Sequence, residues 1–216
     1  MRILIACEFS GIVRDAFIRK GHDAVSCDLL PTEIPGPHIQ DDVLMHLHGW
    51  DLMVAFPPCT HLCSSGARWF PEKQEEQAEA LRFVNLLLNA PVGKIALENP
   101  VGVISTVIRA PHQKIQPYEF GENASKKTCL WLKGLPLLIP TRYVEADCYG
   151  CSCGQRFELG LGKYGCPNCN GAGKARQIWG NQTPTGQNKL GPSDKRALDR
   201  SRTYTGIAAA MAEQWG

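Results

Sequence analysis

The stretch RILIACEFSGIVRDAFIRKGHDAVSCDLL, at the start of the chain, limits the possible folds more than any other feature. Residues 2–7 form an apolar run of β type. Ser10 and Gly11 mark a tight turn. Ile12, Ala16, Ile18 and Arg19 continue as an amphipathic helix. Gly21 stops that helix at the usual C-terminal glycine position. Residues 24–27 make a second apolar run, closed by Asp28. Strand, turn, helix and strand at these intervals predict a βαβ unit with parallel strands.

The rhythm continues. A proline-rich loop (Pro31, Pro35, Pro37) leads to an apolar strand at residues 51–56, ended by Pro57 and Pro58. PEKQEEQAEALRFVNLLLNA predicts a helix starting near Pro71. Acids fill its first turns, and Ala78, Leu81, Val84 and Leu88 lie at helical spacing. GKIALENP is the next strand. Such alternation predicts an α/β fold with a mostly parallel sheet covered on both faces. The 216 residues suffice for one such domain and a small appendage. The final helix carries Ile207, Met211 and Trp215 at i, i+4 and i+8. No apolar run approaches the ~18 residues of a membrane span. The first residues lack the features of a signal peptide, so the expected location is the cytoplasm. A net charge of +2 excludes partner binding driven by bulk charge alone.

Of the ten cysteines, five crowd between Cys148 and Cys169. Cys148-x2-Cys151 and Cys166-x2-Cys169 resemble the paired knuckles of a zinc ribbon, with Cys153 as a competing ligand. The expectation is a structural Zn2+ held by four of these five thiolates. The division that follows is an α/β domain over 1–140, a zinc-ribbon insertion over 141–176, and a segment over 177–216 that completes the α/β domain.

Open parallel sheets bind ligands at the carboxyl ends of their strands. CEFSG follows the first strand and Asp28 the second. Asp41 and Asp42 lie in the next loop, PPC ends the run at 51–56, and ENP ends GKIALENP. A single glycine in EFSG is a poor pyrophosphate cradle, so a cofactor bound through ribose and adenine fits better. Cys59 follows two prolines that fix its projection. With Glu98 at another strand end, it supplies a nucleophile and an acid for addition to an electron-poor ring. Cys63 is read as structural.

These motifs, in this order, resemble the DNA (cytosine-5) methyltransferases. The whole chain is more closely similar to short methyltransferase-like proteins of bacteriophages and prophages. The resemblance implies a Rossmann-like class I S-adenosylmethionine-dependent methyltransferase sheet. It implies cofactor contacts from Phe9, Gly11, Asp28, Asp42 and Pro58. Cys59 would attack C6 of cytosine, and Glu98 would bond at N3 and the exocyclic amine. Asn99 would lie on the substrate side. The family's Arg-x-Arg motif is absent, and Lys126 and Lys127 of SKKTCLWLKG stand in a similar place. The implied partner is double-stranded DNA with its target base flipped out. The family's large recognition domain is missing, so a protein partner could supply target recognition.

Two other readings compete. An N4/N6 amino-methyltransferase needs a polar acceptor before Pro-Pro, but Phe56 stands there and accepts no hydrogen bond. A zinc-containing nucleic-acid-binding protein without activity would account for the missing motif and domain.

Overall fold

The computed structural model describes residues 1–146, 148–151, 156–158, 175–183, 188–190 and 196–216. The chain divides into two compact units. The first comprises residues 1–115, 127–139 and 202–216, and the second 116–126 and 140–201. Residues 116–126 and 177–201 thus join the second unit, whereas the sequence had suggested boundaries at 140 and 176.

The first unit is built on a seven-stranded sheet in the order β3-β2-β1-β4-β5-β7-β6. Its strands are β1 (Arg2–Ala6), β2 (Asp23–Asp28), β3 (His38–Gln40), β4 (Leu52–Ala55), β5 (Lys94–Pro100), β6 (Gln113–Ile115) and β7 (Thr128–Lys133). Strands β1 to β5 pair in parallel, and β7 runs antiparallel to both β5 and β6. The expected mostly parallel α/β sheet is therefore present.

Alternation along the strands explains how both faces are buried. Leu4, Ala6, Met53, Ala55, Ile95 and Leu97 share a core with Val84, Leu87 and Leu88 of α2 (Gln74–Leu88). The intervening Ile3, Ile5, Val54 and Ala96 are equally buried. Helix α1 (Ile12–Arg19) packs on β1, β2 and the C-terminal helix Thr205–Trp215. Period-two burial of this kind requires cover on both sides. The C-terminal helix is fastened further: Trp215 donates from Nε1 to the Pro136 carbonyl at 3.1 Å, and Lys20 pairs with Glu213. Helix α2 begins at Gln74, not near Pro71. Residues Ser64–Glu72 form a 3-10 segment, and Lys73, at φ −130°, breaks the path between the two.

The second unit contains a three-stranded antiparallel sheet, β10-β8-β9, of Cys148–Cys151 (β8), Arg156–Glu158 (β9) and Ala175–Ile178 (β10). Tyr118 stacks on Trp179 with ring centroids 4.2 Å apart. Among the described residues, no group of three or more His, Cys, Asp or Glu could hold a metal ion. The zinc expectation therefore has no support in this part of the chain. The backbone at Cys148–Cys151 runs as a strand. Cys153, Cys166 and Cys169 lie outside the described residues. No described helix is long and apolar enough to cross a membrane.

Candidate functional site

The chain runs from β1 outward to β3, then returns to place β4 on the other side of β1. The carboxyl ends of β1 and β4 thus flank the point where strand order switches, the usual ligand position in such sheets. CEFSG and PPC are the loops that leave those two ends.

At the end of β1 the backbone turns sharply. Cys7 has φ 57°, a conformation that non-glycine residues seldom adopt. Burial, with the charges of Asp28 and Asp42, pushes the Cys7 thiol far above its ordinary range. Cys7 therefore lies close to both acids expected at the cofactor. Asp28 is half-buried, and its Oδ1 accepts from the Leu30 amide at 2.9 Å. Burial also raises its pKa. Asp42 is exposed and caps a 3-10 turn over Val43–His46, accepting from the Leu44 amide at 3.0 Å.

Glu8 is the chemically richest residue of this loop, and its sequence position alone did not single it out. It is only 5% exposed. Its Oε1 accepts from the Ser10 hydroxyl at 2.5 Å and from the Val13 amide at 3.4 Å. The N-terminal donors of α1 are thus directed at a carboxylate. A phosphate at this helix end would meet that charge, so the site disfavours a dinucleotide. Glu8 Oε2 is buried with no hydrogen-bond partner. A buried carboxylate oxygen in this state calls for a cationic or donor group.

Burial raises the Glu8 pKa despite the opposing Ser10, Val13 and Arg14. Between the unfolded and folded values, the folded protein therefore holds a proton that the unfolded chain has released. Stability falls as pH rises through the window between the unfolded and folded values. Glu8→Gln should accordingly remove this fall, matching the wild type in acid and exceeding its stability at alkaline pH. Thermal melts at the two ends of this range check the sign.

Arg14 is fully buried, although α1 had read as an ordinary amphipathic helix. Its guanidinium donates to Asp15 Oδ1 at 2.8 Å, Ser26 Oγ at 3.3 Å, Thr32 Oγ1 at 3.1 Å and the Ile34 carbonyl at 2.8 Å. It thereby straps the proline-rich loop onto α1 and β2. The Glu33 amide adds a bond to the Phe9 carbonyl at 2.9 Å, and Glu33 holds Arg202 with two hydrogen bonds. Gly11 has φ 78°, and a Cβ there would lie 2.6 Å from the Arg14 guanidinium and 3.0 Å from Ile34 Cβ. Glycine is therefore required by packing as well as by the turn. Phe9 is 9% exposed, beneath the same strap.

The second loop is held by the third. Asn99, 1% exposed on β5, donates from Nδ2 to the Pro57 carbonyl at 2.8 Å. The Val103 amide donates to the Leu62 carbonyl at 2.9 Å, and the Ser64 amide to the Val101 carbonyl at 2.9 Å. The loops containing PPC and ENP are thus stapled backbone to backbone at the sheet's carboxyl edge. Asn99 is buried, and its amide acts on this staple. Pro58 is exposed, while Cys59 and Glu98 are half-buried. Glu98 is opposite Leu130 in register, and its charge reaches Cys129.

The Cys59 carbonyl accepts from the amides of Leu62 and Cys63, each at 3.0 Å. This single turn brings Cys63 over Cys59, whose side chain hydrogen-bonds to it. Cys63 Sγ also lies 3.0 Å from Ser65 Oγ. Cys63 had been read as structural, although its i+4 spacing was visible in the sequence. Lys126 belongs to the second unit, where its Nζ donates to the Arg200 carbonyl at 2.9 Å. Lys127 is exposed and belongs to the first.

No protein-family model matches the chain, and no curated protein matches it. Among solved structures, it is similar to a candidate DNA modification methyltransferase encoded within a prophage (E. coli). That similarity has 12% identity and a TM-score of 0.45, and covers 67% of this chain. The chain spans about half the length of that structure, 52% of it.

Proposed function

We propose that the protein is an S-adenosylmethionine-dependent methyltransferase that modifies C5 of cytosine in DNA through a covalent adduct at Cys59. The observation that carries this reading is the staple between the PPC and ENP loops. The Asn99 amide on the Pro57 carbonyl joins the proposed nucleophile's loop to the strand end bearing Glu98. A cysteine and an acid on two such loops are what addition to a pyrimidine ring requires.

The residues at the end of β1 fit this cofactor. It carries cationic groups and no phosphate, which suits the unpartnered Glu8 Oε2 and the helix end already satisfied by Glu8. Asp28, at the end of β2, would take the ribose hydroxyls, as an acid in that position does. Asp42 and Phe9 would border the adenine side, and Gly11 with Pro58 the methionine side. The cofactor supplies an electrophilic methyl group.

The chain's own groups do the rest. Cys59 gives an electron pair to C6 of the flipped base. Glu98 holds N3 and the exocyclic amine, stabilising the charge that the ring acquires. C5 becomes nucleophilic and takes the methyl group. Water takes the C5 proton, the C5–H electrons restore the C5–C6 double bond, and Cys59 leaves with the electron pair of the C6–S bond. Extrusion of the base from the duplex costs a few kcal/mol. A prophage or phage setting, with a partner that helps to read the target, belongs to this same proposal.

Product analysis tests the reaction. Duplex DNA incubated with the protein and S-adenosylmethionine, then digested to nucleosides, should yield 5-methylcytosine by mass spectrometry. N4-methylcytosine or N6-methyladenine would instead favour the amino-methyltransferase. Unmodified DNA, with no cofactor binding by calorimetry, would favour a binding protein without activity.

A further inference from the structure

The turn after PPC carries a second sulfur for which the mechanism above has no task. Cys59 and Cys63 are one turn apart, and residues at i and i+4 on a turn bring their Cβ atoms to about 5–6 Å. The turn is fixed at both ends. Its start is held through the Cys59 carbonyl, which accepts two amides at 3.0 Å. Its end is held by the bridge between Cys63 and Gly102 and by the Ser64 hydroxyl on the Val101 carbonyl at 2.9 Å. The groups facing Cys63 Sγ are the Cys59 thiol, the Ser65 hydroxyl and the amides of Ser65 and Gly66. All four can donate to a sulfur anion, and both cysteines are half-buried.

We propose that Cys63 is the proton acceptor for Cys59, a positioning residue that holds the negative charge until Cys59 attacks. This rests on the reading of Cys59 as nucleophile. The electrostatics agree: the hydrogen bond from Cys59, then those from Ser65 and Gly66, pull Cys63 down to about 5, against burial. At neutral pH the two sulfurs therefore share one proton. In the step itself the Cys59 S–H bond breaks and its proton passes to the Cys63 thiolate. The electron pair left on Cys59 forms the bond to ring carbon C6. When the ring expels Cys59, those electrons return to sulfur and the proton returns from Cys63. Cys63 is the weaker base of the two, so the transfer runs uphill and is drawn forward as Cys59 bonds to C6; no external base is needed for the attack.

The test uses Cys63→Ser, which keeps size and polarity but removes the base, and Cys63→Asp, which restores one. The first readout is thiolate number by ultraviolet absorbance at neutral pH, which needs neither cofactor nor DNA. The expected result is one thiolate fewer in Cys63→Ser than in the wild-type protein. The second is the pH profile of covalent adduct formation with DNA containing 5-fluorocytosine. Cys63→Ser should slow it roughly tenfold at pH ~6, the lost thiolate being partly offset by the greater nucleophilicity of a higher-pKa sulfur. The deficit should vanish at high pH, and Cys63→Asp should recover most of the rate at pH ~6. An unchanged thiolate number, or a loss equal at all pH values, would overturn the proposal. If the wild-type protein forms no adduct, the cytosine reading fails, while the thiolate count still decides whether the sulfurs share a proton.

Discussion

Gly102→Ala should cost the protein its activity while leaving most of its fold. A Cβ at Gly102 would fall on the Leu62 carbonyl oxygen and lie 2.8 Å from Cys63 Cα. Both obstacles are backbone, so no side chain can swing aside. The two loops must part, and the bonds from Val103 to Leu62 and from Ser64 to Val101 must stretch or break. Those bonds hold the turn that carries Cys59 and Cys63. A displacement of about 1 Å at reacting groups costs on the order of 100-fold in rate. Overpacking of this kind costs about 1–3 kcal/mol of stability. Gly93→Ala is the control, because a Cβ there meets nothing within 4 Å. It should leave both rate and melting temperature essentially unchanged. Equal behaviour of the two variants in rate and thermal unfolding would refute the staple as the device that places Cys59.

Arg14→Met should be the most destabilising single change in the first unit. Methionine fills much of the same volume but leaves Ser26, Thr32 and the Ile34 carbonyl without their shared donor. Breaking a buried charged network from one side typically costs about 3–5 kcal/mol. In a chain of this size that lowers Tm by roughly 10 °C or more. The strap formed by the proline-rich loop should loosen first, since Arg14 supplies its innermost bonds. Arg14→Lys keeps the charge but not the fork of donors, and should recover less than half of the loss. Circular-dichroism melts give the stability. Proteolysis within residues 29–37 reports the strap separately. Melting temperatures within a degree or two of the wild type would mean that the guanidinium network contributes little.

Much of the fold was legible because its signals are local. The β1–α1–β2 unit is written as an apolar run, a turn glycine, a helical stripe and a second run. The order of strands is not local. Nothing in residues 110–135 announces that β7 inserts antiparallel between β5 and β6, because that choice is made by long-range pairing. The start of α2 was misplaced because Pro71 is a good first helical residue, yet here it ends a 3-10 segment and Lys73 interrupts the chain. The zinc expectation came from spacing alone. Three of the five cysteines it names, Cys153, Cys166 and Cys169, lie outside the described residues.

The candidate site divides in the same way. Motif residues at strand ends were visible, and Cys59, Glu98, Asp28 and Gly11 all stand at the sheet's carboxyl edge. What joins them was not visible. Asn99 belongs to a recognisable motif, but only the fold shows its amide on the Pro57 carbonyl. Glu8 and Arg14 are ordinary letters in the sequence. Their significance comes from burial, which leaves one carboxylate oxygen unpartnered and one guanidinium serving four acceptors. Cys63 needed only a count of four from Cys59, but a structural role for a half-buried cysteine is the commoner case.

The proposed mechanism turns on a covalent bond between Cys59 and cytosine. It is tested most directly by incubating the protein with S-adenosylmethionine and DNA bearing 5-fluorocytosine at many positions, then resolving the mixture on a denaturing gel. Fluorine at C5 cannot leave as a proton, so a methylated adduct would stay attached. The expected result is a shifted band that needs the cofactor and is lost in Cys59→Ala. A band that persists in Cys59→Ala, or its absence from a wild-type protein that binds the cofactor, would contradict it.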